Sequence, residues 1–106
     1  MGTTLERFYQ KQLIKELNDI FEGKAIIIKN DSSYLQGIPD WAIMYGKLCI
    51  LLEVKSSEKA ITQPNQEYYL SKHIEMGGYG YLIYPENEEE VMGEIRALKD
   101  IHDAIQ

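Results

Sequence analysis

Gly37-Ile38-Pro39-Asp40-Trp41-Ala42-Ile43-Met44-Tyr45-Gly46-Lys47-Leu48-Cys49-Ile50-Leu51-Leu52-Glu53-Val54-Lys55 reads as one tight β-hairpin. Two apolar, strand-like runs flank Gly46-Lys47, which has the Gly-first form of a two-residue type II′ turn. With the chain turning there, Tyr45 faces Leu48, and the same register sets Asp40 opposite Glu53. Directly opposed side chains in such a ladder stand roughly 5 Å apart at Cβ. Lys55 lies two residues beyond Glu53, so strand alternation points it to the side that holds both acids. Two opposed carboxylates repel unless something neutralises them, and the arrangement asks for a bound cation.

Both faces of this hairpin are apolar, with Ala42, Met44, Cys49 and Leu51 on one and Trp41, Ile43, Ile50 and Leu52 on the other. A sheet of that kind must be covered on both sides. The flanking sequence supplies the cover. Leu5, Phe8, Leu13, Leu17 and Phe21 recur at helical spacing and predict a first helix over residues 4–22, stopped by Gly23. Ala25 to Ile28 is a short β-branched strand, and Asn30 to Ile38 a loop rich in turn formers. Pro64 opens a second helix that Gly77-Gly78 ends, and Tyr79 to Tyr84 is a fourth strand stopped by Pro85. A last helix spans Val91 to Ile105, with Val91, Ile95, Leu98, Ile101 and Ile105 inward. The order is α-β-β-β-α-β-α, and the final β-α-β crossover makes the last strand parallel to the one it joins. The fold class is therefore α/β, with a mixed sheet flanked by helices.

A chain of 106 residues is one domain, residues 1–106, and its 44% apolar and 26% charged composition is that of an ordinary globular protein. The longest apolar stretches fall far short of the ~20 residues of a membrane span, and Met1-Gly2-Thr3-Thr4 runs directly into a polar helical segment. The expectation is a protein without membrane contact, in the cytoplasm, or the host cytoplasm if the chain is viral. Cys49 is the only cysteine and sits in an apolar strand, which suits a buried hydrophobe in a reducing compartment. The net charge of −6 argues against a polyanionic partner until its distribution is considered. Residues 85–106 hold seven acids and two bases, whereas residues 1–84 hold ten acids and nine bases. With acids of the first part assigned to a metal, that part is slightly basic, which permits a nucleic-acid substrate.

Pro39-Asp40, twelve intervening residues, then Glu53-Val54-Lys55 is the pattern for which the PD-(D/E)XK nucleases are named. A helical Glu6 leading into Gln10-x-x-Leu13-Ile14, the Gly37-x-Pro39-Asp40 turn, Gln66 opening the second helix and Gly77-Gly78-Tyr79 before the last strand complete an ordered set over residues 4–84. In this the chain resembles the virus-type replication-repair (VRR-Nuc) branch of that superfamily in its short stand-alone form. One departure is the single glycine on the approach to Pro39.

The resemblance implies a restriction-endonuclease-like αβββαβ core with a C-terminal helix added. It also implies a Mg²⁺-dependent endodeoxyribonuclease, with Mn²⁺ as a substitute, acting on branched DNA in the manner of a Holliday-junction resolvase, and a DNA-repair setting. Asp40 and Glu53 are then metal ligands with the Val54 carbonyl, and Glu6 reaches the metal or a water on it. Lys55 orients or deprotonates the attacking water, and Gln66 holds Lys55 or a phosphate oxygen. Lys59, Lys72 and, less directly, Lys11 are phosphate contacts. Because one site cuts one strand, a homodimer is expected. Three other readings compete: a non-catalytic DNA-binding or assembly subunit with the same fold, a sequence-specific restriction-type enzyme, and a metal-binding domain unconnected with nucleic acid. Each motif residue also has a plainer reading. Glu53 and Lys55 make a surface ion pair, and His73 and His102 are structural.

Overall fold

The computed structural model describes residues 4–60 and 64–105. Its elements are α1 (Thr4–Ile20), β1 (Ile26–Lys29), β2 (Trp41–Tyr45), β3 (Leu48–Val54), α2 (Pro64–Glu75), β4 (Tyr79–Ile83) and α3 (Glu88–Ala104). The sheet runs β1-β2-β3-β4, antiparallel at the first two pairings and parallel at the last. This is the mixed sheet expected of the α-β-β-β-α-β-α order.

The hairpin forms as its residues dictate. Tyr45 pairs with Leu48 and Trp41 with Leu52, while Gly46 takes φ +59° and Lys47 keeps a negative φ, the sign pattern of a type II′ turn. Glycine is needed there for a second reason, since a Cβ on Gly46 would lie 2.8 Å from the His102 ring. Tyr45 stacks between Phe21 and His102, each at a centroid distance of 5.1 Å, and its hydroxyl donates to Asp103 Oδ1 at 2.7 Å. The turn is thus clamped to the C-terminal end of α3.

Helix ends follow backbone chemistry more closely than apolar spacing. Past Phe21, the Gly23 amide donates to the Asn18 carbonyl at 2.9 Å and the Glu22 amide to Asp19 at 3.2 Å, a Schellman closure. Glu22 takes the left-handed position at φ +55°, so the helix stops one residue before the glycine expected to stop it. At the end of α2, Gly77 (φ +95°) occupies that position itself. The start of α3 is corrected to Glu88 from Val91. Asn87 caps the approach by donating from Nδ2 to the Leu82 carbonyl and accepting from the Tyr84 amide, both at 2.9 Å. Three glutamates then fill a first turn whose dipole favours them.

One face of the sheet carries the core. Leu13 and Leu17 of α1, Phe21 just past its end, and Val91, Met92 and Ile95 of α3 meet Ile43, Leu48, Ile50, Leu52, Val54 and Ile83. Two expectations about this core are corrected. Leu5 and Phe8 are exposed because they precede the buried stretch of α1 that begins at Leu13, and Ile101 and Ile105 are exposed at the C-terminal end of α3, past Ile95, its last buried residue. On the opposite face α2 packs over β4, where a Cβ on Gly80 would come within 2.9 Å of Leu70. Cover there is partial, since Ile26 and Ile28 remain exposed.

Candidate active site

Asp40 immediately precedes β2, and Glu53 lies at the end of β3, with Lys55 following. The ladder that fixes Trp41 opposite Leu52 carries on one step to bring the two acids together, and their hydrogen bonds interlock. The Asp40 amide donates to Glu53 Oε1 at 3.1 Å, and the Val54 amide donates to Asp40 Oδ2 at 2.8 Å. Each carboxylate therefore has one oxygen held by the main chain of the opposite strand. The other oxygen of each faces a lysine, with Lys29 Nζ 3.4 Å from Asp40 Oδ1 and Lys55 Nζ 3.9 Å from Glu53 Oε2.

Burial separates this group from a surface ion pair. Glu53 is 2% exposed and Lys55 8%. Strand pairing accounts for it, since β4 runs alongside and the Lys55 amide donates to the Ile83 carbonyl at 2.9 Å. Burial first, and the Asp40 carboxylate second, push the Glu53 carboxyl up to about 7. Carboxylate oxygens such as those of Asp40 and Glu53 are the hard donors that Mg²⁺ or Mn²⁺ prefers.

Gln10, Lys29 and Trp41 also belong to the site, although sequence reading did not place them there. Gln10 Oε1 accepts from the Trp41 indole N–H at 3.0 Å and from Lys29 Nζ at 3.3 Å. Lys29 lies over the Trp41 ring, 5.0 Å from its centroid. The signal was the continuation of the β1–β2 register, which pairs Lys29 with Trp41 and brings the Asn30 amide to the Asp40 carbonyl at 2.8 Å. The irregular 30–38 loop conceals that register in the sequence.

The remaining expected residues are more dispersed. Glu6 is half-buried on α1, one turn before Gln10 on the same face. Among the described residues no three His, Cys, Asp or Glu side chains form a metal-binding group, so Glu6 does not join Asp40 and Glu53 in one. Gln66 lies in the first turn of α2, and its side chain is outside the described residues. Lys59 and Lys11 are exposed, the first in the loop after β3 and the second on α1. Lys72 does not flank the acids. It lies in the last turn of α2 against Tyr68, next to His73, whose Nε2 meets the Cys49 carbonyl at 3.1 Å near the opposite end of β3. His73 is therefore structural, as the plainer reading had it.

No protein-family model matches the sequence, and no curated protein matches it. In three dimensions the chain is similar to a solved structure described as a VRR_NUC domain. That match has a TM-score of 0.60 at 17% identity and covers 79% of this chain and 92% of the other. No helix among the described residues is long and apolar enough to cross a membrane. The α/β architecture of this chain is thus the fold of a VRR_NUC domain.

Proposed function

We propose that this chain is a divalent-metal-dependent endodeoxyribonuclease selective for branched DNA. The observation that carries the reading is the buried Glu53–Lys55 pair hydrogen-bonded across the hairpin to Asp40. A buried glutamate next to a second carboxylate costs stability unless positive charge offsets the repulsion, and a bound cation would add such charge. Asp40 and Glu53 would hold Mg²⁺, with Mn²⁺ as substitute, together with the Val54 carbonyl. Bound there, the ion supplies Lewis-acid stabilisation of the charge that develops on the attacked phosphodiester.

The chain's own residues do the rest. Lys55, held in place by strand pairing, orients the water for in-line attack and donates to the oxygens that gain charge as the new P–O bond forms and the old one breaks. Glu6 and Gln66 belong to the first turns of α1 and α2, and we assign them to a metal-bound water and a phosphate oxygen, the latter because a helix N-terminus favours an anion. Lys59 and Lys11 are phosphate contacts outside the site. A homodimer would provide two such sites for the two strands of a junction.

The test is cleavage of a labelled four-way junction against linear duplex, flap and single strand in Mg²⁺, with Lys55→Ala as control. Junction-selective cutting that the control lacks supports the reading. A folded, metal-binding protein that cuts none of them would instead be a non-catalytic DNA-binding or assembly subunit.

A further inference from the structure

Lys29 differs from Lys55 in ways that assign it a separate task. Lys55 is buried, whereas the Lys29 side chain is half exposed. Its ammonium has three partners at a distance: Asp40 Oδ1 at 3.4 Å, Gln10 Oε1 at 3.3 Å and the Trp41 ring at 5.0 Å. Two of the three do not depend on Asp40. Gln10 is fixed by the indole N–H of Trp41, so the amide oxygen and the ring form a seat for the ammonium at the edge of the site.

Asp40 is anchored in the complementary way. Its Oδ2 accepts the Val54 amide at 2.8 Å, which leaves Oδ1 as the oxygen that can change partner without disturbing the hairpin. The ammonium and a divalent cation would compete for that oxygen, since like charges a few Å apart repel strongly in a partly buried site. A lysine that loses its carboxylate but keeps its seat becomes an uncompensated positive charge beside the position of the scissile phosphate.

We infer that Lys29 alternates between two anions. It neutralises Asp40 while the site holds no metal, and it binds a phosphate oxygen of the DNA once a divalent cation occupies Asp40. The inference rests on the nuclease reading above. It makes Lys29 a phosphate-binding residue that also keeps the empty acid pair from repelling itself.

The experiment titrates the metal-free chain with Mn²⁺ alone at low salt, comparing wild type with Lys29→Met, Lys29→Arg and Asp40→Asn. Junction affinity in Ca²⁺ is then measured across a salt series. Lys29→Met keeps the stem over Trp41 and removes the competing charge, so Mn²⁺ should bind roughly 2- to 5-fold more tightly, the range of an exposed ion pair. Lys29→Arg should match wild type in Mn²⁺ affinity. The salt slope of junction binding should fall by about one for Lys29→Met, as for the loss of one phosphate contact. Mn²⁺ affinity that is unchanged or weakened in Lys29→Met, or an unchanged salt slope, overturns the proposal if Asp40→Asn has lost the metal. Wild-type Mn²⁺ binding by Asp40→Asn would instead overturn the nuclease reading, and the role of Lys29 with it.

Discussion

The main-chain amide of Asp40 holds the Glu53 carboxylate at 3.1 Å, so the first acid of the pair positions the second through its backbone and not its side chain. Substituting the Asp40 carboxylate therefore leaves the Glu53 contact in place. Asp40→Asn also retains an oxygen for the Val54 amide and removes little but charge. Cleavage should be abolished while junction binding persists and the melting temperature does not fall. Undiminished cutting by this variant would sink the metal-site claim. Lys55→Ala should lower the rate by roughly 10²–10³-fold, the span for losing one donor to the charge that develops in the transition state.

Glu53 links stability to pH in an unusual direction. Its folded-state value of about 7 lies above the ordinary 4.5, so the folded protein binds the extra proton between those two values. This contribution to stability is full below pH 4.5 and is lost as pH rises through 7, on the order of 3 kcal/mol. Thermal melts in a chelator should show a metal-free protein more stable at pH 5.5 than at pH ~8. Glu53→Gln, which keeps an acceptor for the Asp40 amide, should flatten that difference. Added Mg²⁺ should restore stability most at the alkaline end. A wild-type melting temperature that climbs from pH 5.5 to ~8 without metal would contradict the assignment.

Metal identity gives a third expectation. Ca²⁺ takes more ligands at longer distances than Mg²⁺ and positions a water less strictly. It should support junction binding with little turnover, whereas Mn²⁺ should support both. Side-by-side single-turnover rates decide the matter, and equal rates in Mg²⁺ and Ca²⁺ would count against a site built on Asp40 and Glu53.

Gly46 offers a control distant from the acids. Alanine there meets both a left-handed backbone and the His102 ring, and should cost about 1–3 kcal/mol. Because the turn lies at the opposite end of the hairpin, Mn²⁺ affinity of the folded variant should be unchanged. Denaturant unfolding and metal titration of the same sample test both halves of the statement.

The contrast between what the sequence revealed and what it hid follows from loop chemistry. A two-residue turn at Gly46-Lys47 fixes the register, and that register alone sets Asp40 against Glu53 with Lys55 beside them. Lys29 is not legible as a site residue because eleven residues, 30–40, separate β1 from β2, and no turn type fixes how they pair. The ends of α1 and α3 were misread for a related reason. Apolar spacing marks the buried stripe of a helix and not its caps, so Glu22 and Asn87 set boundaries that Phe21 and Val91 could not. Ile101 and Ile105 repeat at helical spacing yet stay exposed past Ile95, the last residue of α3 that the core buries.

The two-residue turn has a consequence in time as well as in space. A hairpin with so short a loop closes within roughly 1–10 μs, whereas pairing β4 with β3 must close the much longer connection that contains α2. Asp40 and Glu53 both belong to the part that closes first. The carboxylates should meet in the folding transition state, before the Ile83 carbonyl receives the Lys55 amide. Mg²⁺ should then raise the refolding rate in stopped-flow experiments and not merely slow unfolding. An ion of this kind would act as a folding cofactor from the first strand pairing onward.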